Sequence, residues 1–192
     1  CLRDYFDASY ESVLINNKLI FSKCKEIVKQ FMPSSVKKLK LYKDKKPIFF
    51  NHGIEKKIVD INNPNVRLKS GGYLVINQTE ALVAIDINSG KFTKNRNIED
   101  TAFQTNLEAA DEISRQIRIR DLAGLIVIDF IDMLERNHNY KVEKRLKDFL
   151  KSDRARIQVG RISNFGLLEL SRQRLKVNEY SKVSVKCSHC NG

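Results

Sequence analysis

Two nearly pure apolar runs, each closing on an aspartate, constrain this chain most. Ala81 to Ile85 leads into Asp86, and Leu125 to Ile128 leads into Asp129. Runs this short and this apolar read as strands. Between them Phe103, Leu107, Ala110, Ile113 and Ile117 recur at intervals of three and four, which predicts an amphipathic helix over about residues 99–120. A strand, a long helix and a second strand set the class: α/β, in an α+β arrangement with a mixed sheet.

The flanking segments extend that pattern. Tyr73 to Asn77 forms a hairpin with the Ala81 run across Gln78, Thr79 and Glu80. A second helix is expected over about 139–151, with strands at Ile157 to Val159 and Leu167 to Leu170. Before residue 64 the reading is a strand at Val13 to Ile15, a helix over 17–31 stopped near Pro33, a strand at Leu39 to Tyr42 and a helix from Gly53 to Ile61. Asn62 to Asn65, around Pro64, reads as the loop between two subdomains.

Charge narrows the partners. Of the 192 residues, 35 are Lys or Arg and 23 are Asp or Glu, a formal net charge of +12. Residues 1–64 hold 13 basic and 7 acidic residues, and residues 65–192 hold 22 and 16, so each part carries +6. This is a basic protein rather than a neutral one with a basic tail, and a polyanion such as nucleic acid is the expected partner. No apolar stretch approaches the ~20 residues of a bilayer span, and residues 1–20 do not form a signal peptide. The chain begins on Cys1 and ends two residues after Cys190, and it reads as a piece of a longer protein.

The chemistry is expected at the strand-end acids. Two carboxylates on neighbouring strands suit Mg²⁺, which takes one or two carboxylates and fills its shell with water and phosphate oxygens. Asn88, two positions after Asp86, shares its face in a strand and could hold a phosphate oxygen or orient a water. Asp132 is a third acid on the following loop. The competing reading makes these acids hydrogen-bonded caps. Three arginine groups (Arg115, Arg118 and Arg120; Arg154, Arg156 and Arg161; Arg172 and Arg174) could fork onto phosphates or pair locally with Glu112 or Asp153. Phe165 could stack on a base, although an aromatic just before a strand is more often core.

Cys187 and Cys190 have the spacing of half a tetrahedral zinc site. Cys1 and Cys24 lie far away in sequence, so the other two ligands would come from another segment or, across a two-fold axis, from a second copy. A free dithiol is the alternative.

The stretch from Ser70 to Gly90, the segment Asn106 to Ile113, the run Arg118 to Met133 and the segment Phe165 to Arg174 together resemble the ribonuclease E/G family of bacterial endoribonucleases. The resemblance implies Mg²⁺-dependent cleavage of single-stranded, AU-rich RNA to 5′-phosphate and 3′-hydroxyl ends, with Mn²⁺ as a substitute metal. It implies a cytoplasmic enzyme, or one peripheral to the inner membrane, acting in RNA processing and decay and in an RNA-degrading complex. The family's metal-binding aspartates fall on Asp86 and Asp129 and its supporting asparagine on Asn88. Its zinc-link motif falls on Cys187 and Cys190, with Ser188 where the family has proline, and there two protomers share one Zn²⁺ in a homo-oligomer. Arg156 carries over as an RNA contact. The architecture implied is a partial RNase H-like subdomain over 1–64, a DNase I-like catalytic subdomain over 65–185 and the zinc link over 186–192. The competing function is a non-catalytic RNA-binding scaffold, which would show salt dependence without a metal requirement.

Overall fold

The computed structural model describes Phe6, residues 10–90 and residues 98–174. The chain divides into two compact units, Cys1–Asp60 and Ile61–Gly192. In the first, strand β1 (Val13–Ile15) pairs in parallel with β2 (Leu39–Leu41). Helix α1 (Lys18–Phe31) connects them, followed by a 3-10 turn over Pro33–Lys38. Asn17 starts α1, its side chain accepting the N–H groups of Leu19 and Ile20 at 2.9 and 3.0 Å. Pro33 cannot extend the helix, because it lacks the N–H the next turn would need. Helices α2 (Ile48–Asn51) and α3 (Ile54–Asp60) complete this unit. Among its described apolar side chains only Val28 and Leu39 are buried.

The second unit is a six-stranded mixed sheet in the order β3-β4-β5-β6-β8-β7. Its strands are β3 (Asn65–Arg67), β4 (Tyr73–Gln78), β5 (Val83–Asn88), β6 (Gly124–Asp129), β7 (Ile157–Ile162) and β8 (Leu167–Arg172). Helix α4 (Ile98–Ile119) joins β5 to β6, and α5 (Arg136–Leu150) joins β6 to β7. Only the β5–β6 contact is parallel, as the long helical connection requires; its neighbours are antiparallel.

Alternation along the strands decides what faces what. Leu74, Ile85, Ile126, Ile128, Leu168 and Leu170 point into the core. There they meet Ala110, Ile113 and Ile117 of α4 and Val142 and Leu146 of α5. Each large side chain buried this way contributes about 1.5–3 kcal/mol. Both helices lie on this one face. The intervening residues of the central strands open onto the other, where Tyr73, Leu125 and Leu167 remain 38%, 44% and 36% exposed.

This corrects one expectation. Gly124 to Phe130 is almost purely apolar and reads as a buried strand, yet only Ile126 and Ile128 of its residues within β6 are buried. The helices supply enough apolar surface for one face only. Three elements also lacked a periodic signal: β3, with three residues; α2, with four; and the first turn of α5, where Arg136, Asn137 and Asn139 show no apolar spacing.

Candidate active site

Asp86 and Asp129 stand directly opposite each other in the parallel register of β5 and β6. Residues so paired point to the same face about 4.8 Å apart along the hydrogen-bonding direction. Both are exposed, so the face free of helices carries them. The row continues to Val75 on one side, opposite Asp86, and to Leu167 on the other, opposite Asp129. Two acids thus sit at the centre of a row with apolar flanks.

Asn88 returns to the same face one pleat further on. Its Nδ2 donates to Asp86 Oδ2 at 2.7 Å, which fixes that carboxylate's rotation. The strand end carrying Asn88 is approached closely by the turn before β4. A Cβ on Gly72 would lie 2.6 Å from the Asn88 carbonyl oxygen, and one on Gly90 would lie 2.6 Å from that of Gly71. The glycines of this segment therefore serve backbone contact.

Beyond Asp129 the chain turns away and is pinned by the β7–β8 hairpin. Phe130 donates its N–H to the Gly166 carbonyl at 3.1 Å. Gly166, at φ 74°, has its Cβ position 2.9 Å from the Phe130 carbonyl oxygen, 3.1 Å from Asp132 Oδ1 and 3.8 Å from Asp129 Oδ1. Asp132 is exposed on this loop. Partial burial raises the Asp129 carboxyl above its ordinary value, and the charges of Asp86 and Asp132 push it the same way. A nearby cation would relieve the repulsion.

Among the described residues no three His, Cys, Asp or Glu side chains converge on a common ion site. A closed cage of protein ligands is not built there. Two carboxylates facing open space fit a hard divalent cation that keeps waters and accepts phosphate oxygens. Cys187 and Cys190 lie outside the described residues, as does Cys1; Cys24 is a free, partly buried thiol on α1.

The arginine groups separate sharply. Arg115 pairs with Glu112 at 2.6 Å, and Arg118 donates to the Ser152 hydroxyl at 2.8 Å. Arg120 donates to Gln116 and to the Asn63 carbonyl, each at 2.7 Å. Arg172, open in the sequence between a phosphate fork and a local pair with Asp153, takes the local pair: buried in β8, it donates to Asp153 at 2.9 Å and to Asp121 at 2.7 Å. Its position opposite Gly124 and Ile157 places it on the core face, where only paired charge is tolerated. Arg156 is exposed just before β7, and Arg161 is exposed within it. Phe165, whose position before a strand suggests core, is 83% exposed at the hairpin tip.

Two residues with a part in shaping the site had no reading of their own in the sequence. Asn106, on α4, holds the backbone of the loop after Asp129. Glu99 accepts the Leu134 N–H at 2.9 Å and lies 2.8 Å from His138 Nδ1, fastening the end of the same loop. A polar residue within the α4 stripe was the available signal for Asn106; Glu99 gave none.

A mixed sheet covered by helices on one face, with paired acids on the other, is an α+β nuclease-like arrangement. The chain belongs to the ribonuclease E/G family, whose model matches residues 1–175. It is 49% identical over 191 residues to ribonuclease E of Haemophilus influenzae, covering 100% of this chain and 20% of that protein. Against ribonuclease E of Escherichia coli it is 48% identical over 191 residues, covering 99% of the chain and 18% of that protein. Ribonuclease G of Haemophilus influenzae is 41% identical over 191 residues, with 100% of the chain and 39% of that protein covered. The chain thus spans about a fifth of the ribonucleases E it matches.

Proposed function

We propose that the protein carrying this chain is a divalent-metal-dependent endoribonuclease and that residues 61–174 hold its chemical centre. The observation that carries the reading is the in-register Asp86–Asp129 pair on the open sheet face. Asp86 and Asp129 hold Mg²⁺ or Mn²⁺, and Asn88 keeps the Asp86 carboxylate turned toward it. The ion supplies Lewis acidity and a water of lowered pKa when bound. The residues around it fix geometry: the sheet register sets the spacing of the acids, and Gly166 lets the hairpin approach without covering them.

The substrate is single-stranded, AU-rich RNA. A new bond forms between a water oxygen and phosphorus, and the P–O3′ bond breaks, with the water proton balancing the released 3′-oxygen. The products carry a 5′-phosphate and a 3′-hydroxyl. Cys187 and Cys190 contribute half of a zinc site completed by a second protomer, and Arg156 contacts RNA. The protein acts in the cytoplasm, or peripherally at the inner membrane, in RNA processing and decay and as part of an RNA-degrading complex. Among the described residues no helix is long and apolar enough to cross a membrane.

The test is cleavage of a 5′-monophosphorylated AU-rich RNA by the whole protein, with Mg²⁺, with Mn²⁺, with EDTA and with Asp129→Asn. Cuts that need both the metal and Asp129 support the reading. Salt-sensitive binding with no metal-dependent cutting leaves the non-catalytic scaffold.

A further inference from the structure

Next to the acids lies a cavity of about 630 Å³ that the sheet face does not include. Its walls are the loop after β6, the outer side of α5 and the β7–β8 hairpin. Gly166 lines this cavity and also lies against Asp129 and Asp132, so the cavity opens beside the carboxylate pair.

The charges on its walls are unevenly committed. Glu143 accepts the Ile162 N–H at 2.9 Å and stands 4.0 Å from Lys147. Asp132 faces the cavity from the side of the acids. Arg136 from α5 and Arg161 from β7 also line it, and neither has a hydrogen bond or ion pair among the described residues. Two guanidinium groups from different elements, both unspent and both on one cavity, are an anion site in search of an anion. Asn164 adds an amide to the lining, and Phe165, between Asn164 and Gly166 in sequence but outside the lining itself, presents a ring that is 83% exposed.

We propose that this cavity is a subsite for the RNA strand adjoining the cleavage point, where Arg136 and Arg161 hold a neighbouring phosphate and Phe165 stacks on its base. The inference rests on the endoribonuclease reading and extends it. It gives the two arginines and the exposed aromatic one shared ligand. The cavity adjoins the acids at Gly166, which lines it and lies against Asp129 and Asp132, so an RNA strand crossing Asp86 and Asp129 can continue into it. Exposed aromatic rings beside cationic side chains grip single strands without selecting sequence.

Binding is measured in EDTA, so nothing is cut, with a fluorescently labelled single-stranded A/U RNA and the whole protein. Arg136→Gln with Arg161→Gln is expected to weaken binding about tenfold and to make the log–log salt slope shallower by about 0.7, one phosphate contact on a single strand. Phe165→Ala is expected to cost about fivefold, the lower end of one stacked base. Arg115→Gln removes an arginine already paired with Glu112 and is expected to cost less than about twofold, as exposed paired charge contributes little. Arg136→Lys with Arg161→Lys should restore most of the salt slope and guards against a misfolded Gln variant.

Parent affinity in the double Gln variant or in Phe165→Ala overturns the subsite, as does an equal loss in Arg115→Gln. Cleavage with Mg²⁺ is scored separately. A protein that cuts nothing but loses tenfold in binding sinks the catalytic reading and leaves the subsite. One that cuts normally while the double Gln variant binds like the parent sinks the subsite alone.

Discussion

Asn106, fully buried on α4, exchanges two hydrogen bonds with the backbone of Ile131: Nδ2 donates to its carbonyl at 2.7 Å, and Oδ1 accepts its N–H at 3.1 Å. The side chain takes the place of a strand partner for a backbone that has just left the sheet. Ile131 lies between Asp129 and Asp132, so this clamp sets where both acids sit.

Asn106→Ala is expected to destabilise the protein by about 2–3 kcal/mol, because it leaves the Ile131 N–H and carbonyl without partners. Asn106→Asp should cost at least as much, since a carboxylate cannot donate to the carbonyl. Urea unfolding measures both, and a loss below about 0.5 kcal/mol for both variants would remove the clamp from the account.

Arg172 offers a second test, in the core rather than at the site. Burial works to raise the Asp153 pKa, but hydrogen bonds from Arg172 and from the Ala155 N–H overcome it, and the carboxyl lies below its ordinary 3.8. A carboxylate with a lowered folded-state pKa contributes stability above 3.8 and loses it as pH falls through the lower folded value. Arg172→Met leaves Asp153 buried without its cation and should cost about 3–5 kcal/mol at pH 7. Adding Asp153→Asn should recover part of that loss. Chemical unfolding of the single and double variants decides, and additivity of the two losses would contradict the pairing.

The central scaffold was legible because strong periodicity marked it. The apolar run leading into Asp86 and the three-four spacing of Ala110, Ile113 and Ile117 predicted β5 and α4 within a residue or two of their ends. Asp86 and Asp129 stood out as acids at the ends of apolar runs, but the exposure of their face did not. A local sequence does not reveal how many helices will cover a sheet. The sequence left Phe165 and Arg172 each open between two places, and tertiary structure chose: Phe165 falls in the exposed turn between β7 and β8, and the register of β8 turns Arg172 to the core face. Asn106 joins residues 25 positions apart, a contact set by tertiary packing alone.

Gly166 and Gly124 separate backbone strain from crowding. Both have positive φ, 74° and 88°, but a Cβ at Gly124 meets nothing within 4 Å, whereas one at Gly166 meets the Phe130 carbonyl at 2.9 Å. Gly124→Ala should cost about 1–2 kcal/mol, the strain alone. Gly166→Ala should cost more and should also lower RNA cleavage, because the carbonyl and the Asp132 side chain must shift beside Asp129. Equal losses of stability with unchanged cleavage in both variants would show that the hairpin does not shape the site.

Asp129 provides the sharpest test, because its protonation and its metal role predict different things. Its pKa is raised, so between 3.8 and the folded-state value the folded protein binds more protons than the unfolded chain. Stability therefore falls as pH rises through that window, and the deficit persists above it. Asp129→Asn removes the repulsion with Asp86 and Asp132 while keeping the shape. At pH 7 in EDTA the variant should melt at or above the parent temperature, and this advantage should disappear below pH 3.8. Mg²⁺ should reverse the order. At about ten times its dissociation constant it stabilises the parent by roughly 1.4 kcal/mol, and Asp129→Asn should show little of this. Cleavage should fall with the lost metal response, not with stability. An acid that merely caps a strand predicts the opposite pattern: a variant less stable in EDTA, with no difference in its response to Mg²⁺.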